Sequence, residues 1–591
     1  MKTDKMFSVR HSLSHLLAAA VLEKYPKTKL GIGPVIENGF YYDFDFAKPI
    51  SDNDLADLEK CVRELAREKL SFTKKVITAA QAAKTFKSEP YKKELVAELK
   101  KKKASISIYE TARGVGKTKK VIFFDLCAGP HVKNTSEINP EGFKLASIAG
   151  AYWRGSEKNK MLTRIYGLAF ASKQELAEYV LMQEEAKRRD HREIGKQRKL
   201  FTFNDLIGPG LPLWLPAGTI IKDEIEKLAK EKEEEYGYVR VSTPHLAKEE
   251  LFTMSGHLPH YADGMFPPMK LDDGKYYLKA MNCPIHHLIY KSEPRSYRDL
   301  PLRLAEYGTV YRNELSGTLA GLLRVRMLSM NDSHIYCTKD QIEEEFKKVM
   351  ELTLYYFKLF GLTNYSFRLS LWDSKNKEKY INEPKNWSVS EEILRKILKN
   401  LKVPFVEAKN EAAFYGPKVD IQYKTVGGRE ETMSTIQLDF AAKKRFDLTY
   451  KDAKGSDNTE VFVIHRSPLS THERFIAFLI EHYAGNFPTW LSPVQVKILP
   501  ISEKHVAYAD TVLHALKTHH VRSSVDDANE TLGKRIRNAE LEKTPYILVV
   551  GEKEIESNTV NVRTRHKKET ETVPLTQFVE RVAQEIAERK G

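Results

Sequence analysis

Residues 299–334 have the composition of an anion-binding hairpin. A strand-like run ends in Tyr311-Arg312-Asn313-Glu314, a loop carries Ser316-Gly317 and Gly321, and a second run carries Arg324, Arg326, Asp332 and His334. Two runs flanking one glycine-bearing loop read as an antiparallel pair. Arginines on such a pair present a planar, permanently charged fork that matches phosphate oxygens. From spacing alone, the same arginines also fit a solvated surface hairpin. A second group lies far away in sequence. His11-Ser-Leu-Ser-His15 sets two histidines at i and i+4, on one face of a helix that continues through LLAAAVLEKY. Phe124-Asp125-Leu126-Cys127-Ala-Gly-Pro-His131 sets a cysteine and a histidine four apart. Three histidines and a cysteine make a zinc-ligand set. The same groups make an acid–base pocket that activates water for ester cleavage.

The elements that must position these groups are of mixed type. Leu55, Leu58, Cys61, Val62 and Leu65 form one stripe of a helix near 54–70, which makes Cys61 a core residue. Lys100 to Lys103 reads as a solvated tip. Residues 173–199 start amphipathic and turn basic, as a linker helix able to touch nucleic-acid phosphate. Gln341 to Phe360 carries a helical stripe of Ile342, Phe346, Val349, Met350 and Phe357. Strict alternation follows at Tyr365, Phe367, Leu369 and Leu371, and again at Val419, Ile421 and Tyr423, the pattern of half-buried strands. Strands and helices without regular βαβ spacing predict an α+β middle built on an antiparallel sheet. Toward the end, Val494, Val496 and Ile498 alternate. A helix near 503–519, strands at 545–550 and 559–564, and a helix from about Leu575 (Phe578, Val579, Val582, Ile586) complete an α/β module.

Composition narrows the function class. A chain of 591 residues predicts three or four domains, and 41% hydrophobic with 30% charged residues fits a soluble globular protein. No apolar run is long enough to span a membrane, and the start, MKTDKMFSVRHS, has no signal-peptide core, so the expectation is a cytoplasmic protein with no membrane partner. Cys61, Cys127, Cys283 and Cys337 are too scattered for a disulfide framework and read as reduced thiols or metal ligands. A net charge of +15 points to a polyanionic partner. No G-x-x-x-x-G-K-[ST] is present, which disfavours a Walker-type ATPase.

The wording of 299–334 resembles motif 2 of the class II aminoacyl-tRNA synthetases, and the version here, HRNE-like RNE-SG-L-GL-RVR followed by D-x-H, is most similar to the threonyl-tRNA synthetase family. The resemblance runs from about residue 8 to the C-terminus. It implies that Arg312 holds the ATP α-phosphate, Glu314 frames the adenine, Arg324 joins the substrate-binding positions, Asp332 takes the amino group of L-threonine, and His334 binds zinc. GYVRVSTPHL resembles motif 1, with Pro244 at the interface of a homodimer. Leu469-Ser-Thr-His-Glu473-Arg474 resembles motif 3, which makes Arg474 the second ATP clamp; Ser470 stands where the family has glycine. The resemblance adds Cys283 and His465 to His334 as ligands of one Zn2+ per subunit, with Mg2+ accompanying ATP. Tyr415, Lys418, Gln437 and Met281 match pocket positions, and His257 matches the proton acceptor from the tRNA 2′-hydroxyl. Zinc chelated by the amine and hydroxyl of threonine would refuse valine. A site that binds a hydroxyl rejects its absence by roughly 10⁴–10⁵, whereas serine differs by one methyl worth about 1–3 kcal/mol. A second, hydrolytic site is therefore expected.

The first 185 residues resemble that editing domain, with His11, His15, Lys92, Asp125, Cys127 and His131 on its pocket positions and mischarged seryl-tRNA as its substrate. Whether the pocket holds a metal stays open. The last hundred residues resemble an anticodon-binding domain, with Asn529, Arg537, Glu554 and Arg563 as readers of the tRNA(Thr) anticodon. The expected architecture is an α+β and α/β multidomain protein: editing domain 1–185, linker helix 186–200, class II catalytic core with antiparallel sheet 201–491, and α/β anticodon-binding domain 492–591. Many family members begin with a β-grasp domain; there is no room for one before His11, so a form without it is expected. Met330, Thr432, Ile285 and Leu258 depart from the family pattern near the substrate. Two readings compete: an altered enzyme whose Met330 pocket charges poorly or accepts another amino acid, and, from a different class, a non-catalytic paralogue that binds tRNA-like RNA as a regulator. Retention of Arg312, Arg474 and the three zinc positions argues against the second.

Overall fold

The computed structural model describes residues 5–114 and 116–590. The chain divides into two compact units, one ending at Glu184 and one beginning at Glu185.

In the first unit the helix Lys5–Lys24 is buried along most of its middle, from Leu13 through Val21. It shares a core with the helix Asp52–Arg67, which buries Leu55, Leu58, Val62 and Leu65. The Asp54 carboxylate accepts from the Ser51 backbone N–H at 2.8 Å, fixing where that helix starts. Cys61 is half-buried against the same core. Two antiparallel sheets complete the unit. One joins Lys29–Leu30, Gly39–Asp45, Met161–Ala169 and Phe143–Tyr152 in that order, and the other joins Ser71–Ile77, Ile106–Arg113 and Lys120–Leu126. Lys101, Lys102 and Lys103 are exposed where the helix Pro90–Lys101 ends.

The segment expected as one linker helix is two, Lys173–Arg188 and His191–Gln197. Asp190 interrupts it by capping the second helix, its Oδ1 accepting from Arg192 N at 2.8 Å.

The second unit is built on an eight-stranded sheet. Its order is Val239–Arg240, Leu302–Tyr311, Met327–Cys337, Phe462–Arg466, Glu430–Asp439, Lys418–Lys424, Tyr365–Leu371 and Phe405–Lys409. The pairing is antiparallel except at the two edges, where Val239–Arg240 and Phe405–Lys409 each run parallel to their neighbour. The helices Ile342–Leu359 and His472–Tyr483 pack on this sheet and share its apolar core. Two expectations change. Strand backbone stops at Tyr311 and resumes at Met327, so Arg312, Glu314, Arg324 and Arg326 stand on the connecting loop, not on the strands. The strand around Val419, Ile421 and Tyr423 is buried on both faces: Asp420 is 0% and Gln422 6% exposed. The apolar alternation marked only the core side, because the opposite face is polar and enclosed.

The same unit ends in a five-stranded mixed sheet ordered Ser523–Val525, Val496–Pro500, Tyr546–Val550, Thr559–Thr564 and Thr570–Pro574. The helices Val506–Thr518 and Leu575–Ala587 close its core through Val512, Leu516, Phe578 and Val582. Among the described residues no helix is long and apolar enough to cross a membrane.

Candidate functional site

Register builds the central site. His334 stands directly opposite His465, and His465 stands directly opposite Gln437, so three strands present these groups side by side. Asp332 lies two residues before His334 and therefore shares its face. Cys283 enters from the first turn of the helix Cys283–Lys291. The ligand atoms of Cys283, His334 and His465 all lie within 4.8 Å of one another, a set that can hold a metal ion.

Hydrogen bonding decides which ring nitrogens are free. His286 Nε2 lies 3.0 Å from Glu306 Oε2, so that nitrogen carries the proton. Its Nδ1 then accepts from His334 Nδ1 at 2.8 Å, which leaves His334 Nε2 with its lone pair. His465 Nε2 donates to Asp439 Oδ2 at 3.1 Å, leaving Nδ1 free. Burial pushes the Cys283 thiol well above the usual range, with Asp332 and Asp439 adding to it, so the sulfur needs a cation to become thiolate.

The trio lines a cavity of about 230 Å³ shared with Arg312, Met330, Asp332, Tyr415, Thr432, Gln437, Ser470 and Arg474. Tyr415 OH donates to Gln437 Oε1, and Asn282 Nδ2 donates to Asp332 Oδ2 at 3.0 Å. Arg474 Nε donates to Leu323 O at 3.1 Å, and burial lowers its guanidinium pKa, opposed by Glu431 and helped by Arg312 and Arg324. Arg312 has a buried Nε with no hydrogen-bond partner, and its Nη2 lies 3.9 Å from the thioether of Met330. Two arginines with no ion pair among the described residues, converging on one cavity, are a site for an anion. Glu314 pairs with Arg324 at 2.8 Å on the loop above. Lys418 pairs with Asp420 at 2.9 Å, and Met281 lines the cavity. His257 is 2% exposed and held between Ser255 Oγ (2.8 Å) and Met281 Sδ (3.1 Å). Burial lowers its pKa to about 4, and it lines a smaller cavity with Cys283 and Tyr415.

The first unit holds its own cluster. Cys127 Sγ lies 3.3 Å from His11 Nε2 and 3.2 Å from His131 Nε2, and with His15 the four ligand atoms fall within 4.8 Å. His11 Nδ1 donates to Pro130 O at 3.0 Å, and His131 Nδ1 meets Ser12 Oγ at 3.1 Å. His15 Nδ1 is buried without a partner. Burial lowers the pKa of all three histidines and pushes the Cys127 thiol up to about 12. Lys92 and Asp125, 2.6 Å apart and both buried, stand beside them with Tyr42 OH, 2.5 Å from Asp125 Oδ2. Lys92, Asp125, Cys127, His11 and His15 line a cavity of about 430 Å³.

The model of the class II tRNA synthetase core domain (G, H, P, S and T) matches residues 269–483. An anticodon-binding domain model matches 495–585, and the second additional domain of threonyl and alanyl tRNA synthetases matches 106–166. The threonine–tRNA ligase of Anoxybacillus flavithermus is 47% identical over 581 residues, covering 98% of this chain and 88% of that relative. Those of Listeria monocytogenes and Staphylococcus carnosus are 46% and 48% identical, covering 99% and 98% of this chain and 90% and 88% of theirs. The chain belongs to the threonyl-tRNA synthetase family. A crystal structure titled as the RNA binding domain of threonyl-tRNA synthetase from Cryptosporidium parvum matches with a TM-score of 0.64 at 34% identity, covering 67% of this chain and 98% of that one.

In the synthetase's C-terminal sheet region, Asn529 and Arg537 are exposed, on the loop before and on the outer side of the helix Leu532–Leu541. Arg563 lies 3.9 Å from Glu540, and Glu554 caps its own helix through Gly551 N at 2.9 Å. The structure also adds residues to the two clusters that sequence did not single out: His286, Glu306 and Asp439 around the central trio, Ser12 and Tyr42 around the first-unit cluster. His286, Asp439 and Ser12 stand within three residues of Cys283, Gln437 and His11, whereas Glu306 and Tyr42 had no such local signal.

Proposed function

We propose that the chain ligates L-threonine to tRNA(Thr) through a threonyl-adenylate and hydrolyses mischarged seryl-tRNA(Thr) in its first unit. The observation that carries this reading is the single cavity shared by Arg312, Arg474, Asp332, Tyr415, Gln437 and the Cys283–His334–His465 trio. Arg312 and Arg474 would grip ATP, Mg2+ screening its phosphates, and hold the α-phosphorus in line with the threonine carboxylate. The three free donor atoms fit one Zn2+ per subunit, which when bound supplies a Lewis-acid position for the amine and hydroxyl of threonine. Asp332, fixed by Asn282, would accept from the substrate ammonium, with Tyr415 and Gln437 closing the pocket beside it. Lys418 would face the adenylate and Glu314 the adenine. His257, held neutral by burial, would take the proton from the tRNA 2′-hydroxyl as it attacks the adenylate.

In the first unit, neutral His11, His15 and His131 with Cys127 would position and activate the water that cleaves the seryl ester, while Lys92 and Asp125 fix the terminal adenosine. The same four groups have the donor set of a metal site, and metal analysis of the wild type separates the two. Asn529, Arg537, Glu554 and Arg563 would read the anticodon. The protein would work in the cytoplasm as a homodimer joined near Pro244. The edge strand Val239–Arg240 there leaves Val239 51% exposed, an unpaired border suited to a second copy.

The test is amino-acid-dependent ATP–pyrophosphate exchange with threonine, serine and valine, beside zinc analysis. Exchange with threonine, weaker exchange with serine and none with valine, at one zinc per chain, is expected. Cys283→Ser should lose both zinc and threonine-dependent exchange. Silence of the wild type with all three amino acids would overturn the ligase reading, and full exchange in a zinc-free preparation would overturn the zinc assignment alone.

A further inference from the structure

The second linker helix begins at His191, which sequence reading treats as part of a basic linker. Its side chain is 3% exposed and engaged at both ring nitrogens. Nδ1 lies 2.7 Å from Glu481 Oε1, near the end of the helix His472–Tyr483 that carries Arg474. Nε2 accepts from the backbone N–H of Leu322 at 3.1 Å, in the loop that carries Arg312, Glu314 and Arg324. The acceptor role at Nε2 and the carboxylate at Nδ1 together fix one tautomer, Nδ1–H.

The contact continues to the cavity. Leu322 lies inside a tight turn, Ala320 to Leu323, closed by Leu323 N donating to Ala320 O at 2.9 Å. The next carbonyl, Leu323 O, accepts from Arg474 Nε at 3.1 Å. One chain of hydrogen bonds thus runs from Glu481 through His191 to the loop, and from the loop back to the guanidinium that faces the cavity. Gly321 is shaped to admit it: its φ is +53°, and a Cβ there would come 2.3 Å from His191 Nε2.

We propose that His191 is a positioning residue for ATP, clamping the turn from Ala320 to Leu323 so that Arg474 and the loop arginines are held at the spacing the triphosphate needs. It touches no substrate itself. Its loss frees a turn that otherwise has a fixed distance to Arg474, so the cost falls on ATP and not on threonine. This rests on the cavity's being the ATP site, and the test separates the two.

The experiment is threonine-dependent ATP–pyrophosphate exchange on full-length wild type, His191→Ala, His191→Gln, Gly321→Ala and the double variant His191→Ala/Gly321→Ala, with seryl-tRNA hydrolysis and thermal unfolding run alongside. His191→Ala should raise KM for ATP roughly ten-fold, the scale of one buried hydrogen bond lost, with KM for threonine within about two-fold. Glutamine, whose side-chain oxygen can reach Leu322 N–H, should recover most of that loss. Gly321→Ala should reproduce the rise by pushing His191 aside, and the double variant should be no worse than either single one, since both break the same contact. A wild type without exchange would overturn the ATP-site reading itself. An active wild type with unchanged KM for ATP in His191→Ala, an equal rise for threonine, no recovery by glutamine, or multiplied effects in the double variant would each overturn the positioning role.

Discussion

The ring nitrogens around the central trio are sorted by their second partners, and that sorting has consequences. Asp439 is buried and its carboxyl pKa is lowered despite that burial, with the His465 hydrogen bond the main opposing cause. Asp439→Asn removes the charge that holds His465 in the tautomer with Nδ1 free. Zinc retention, measured by competition with a chelator, should weaken about 10- to 100-fold. Ser470 poses a backbone problem at the same cavity. Its φ is +55°, in the left-handed region that disfavours any residue with a Cβ. Ser470→Gly should therefore raise the stability of the second unit by about 1 kcal/mol, read as a higher unfolding midpoint in denaturant.

The helix His472–Tyr483 sets two effects against each other. Glu473 lies in its first turn, where the helix dipole favours a carboxylate, and its Oε2 accepts from Ser329 N at 3.0 Å. Burial outweighs both and raises its pKa from 4.5 to about 7. Folding then favours the protonated acid: this contribution is fully present below the unfolded pKa and is lost as pH rises through about 7. Wild type should lose about 3 kcal/mol relative to Glu473→Gln between pH 4.5 and pH 7.5, while the two run parallel below pH 4. Unfolding of the second unit at a series of pH values checks this, and parallel curves throughout would place the carboxyl's ordinary pKa in the folded state.

At the scale of the whole molecule, the two clusters sit in separate compact units, each with its own core. Their chemistry should be separable. Cys127→Ala or His11→Ala should let seryl-tRNA accumulate while threonine-dependent exchange keeps its wild-type rate, because neither residue contributes to the core around the Cys283 site. Unchanged seryl-tRNA hydrolysis in both variants would remove the hydrolytic role from this cluster. A large basic surplus, +15 overall, further predicts that binding of tRNA weakens steeply with salt while threonine activation does not.

Local periodicity carried much of the architecture. The stripe from Ile342 to Phe357, the alternation from Tyr365 to Leu371 and the closing helix around Phe578 and Val582 all correspond to elements of the structure, because each is set by side chains a few residues apart. The motif wording near Arg312 and Cys127 likewise pointed to the family. What sequence could not decide depends on register and burial between distant segments. Cys283, His334 and His465 meet only because two strand pairings place His334 opposite His465 and a separate helix delivers the thiol. The loop positions of Arg312 and Arg324, the burial of Asp420 and Gln422 on the strand's second face, and the contact of His191 with Leu322 have the same origin. A polar residue carries no local mark of which face will be enclosed, and only the tertiary fold supplies the partner that encloses it.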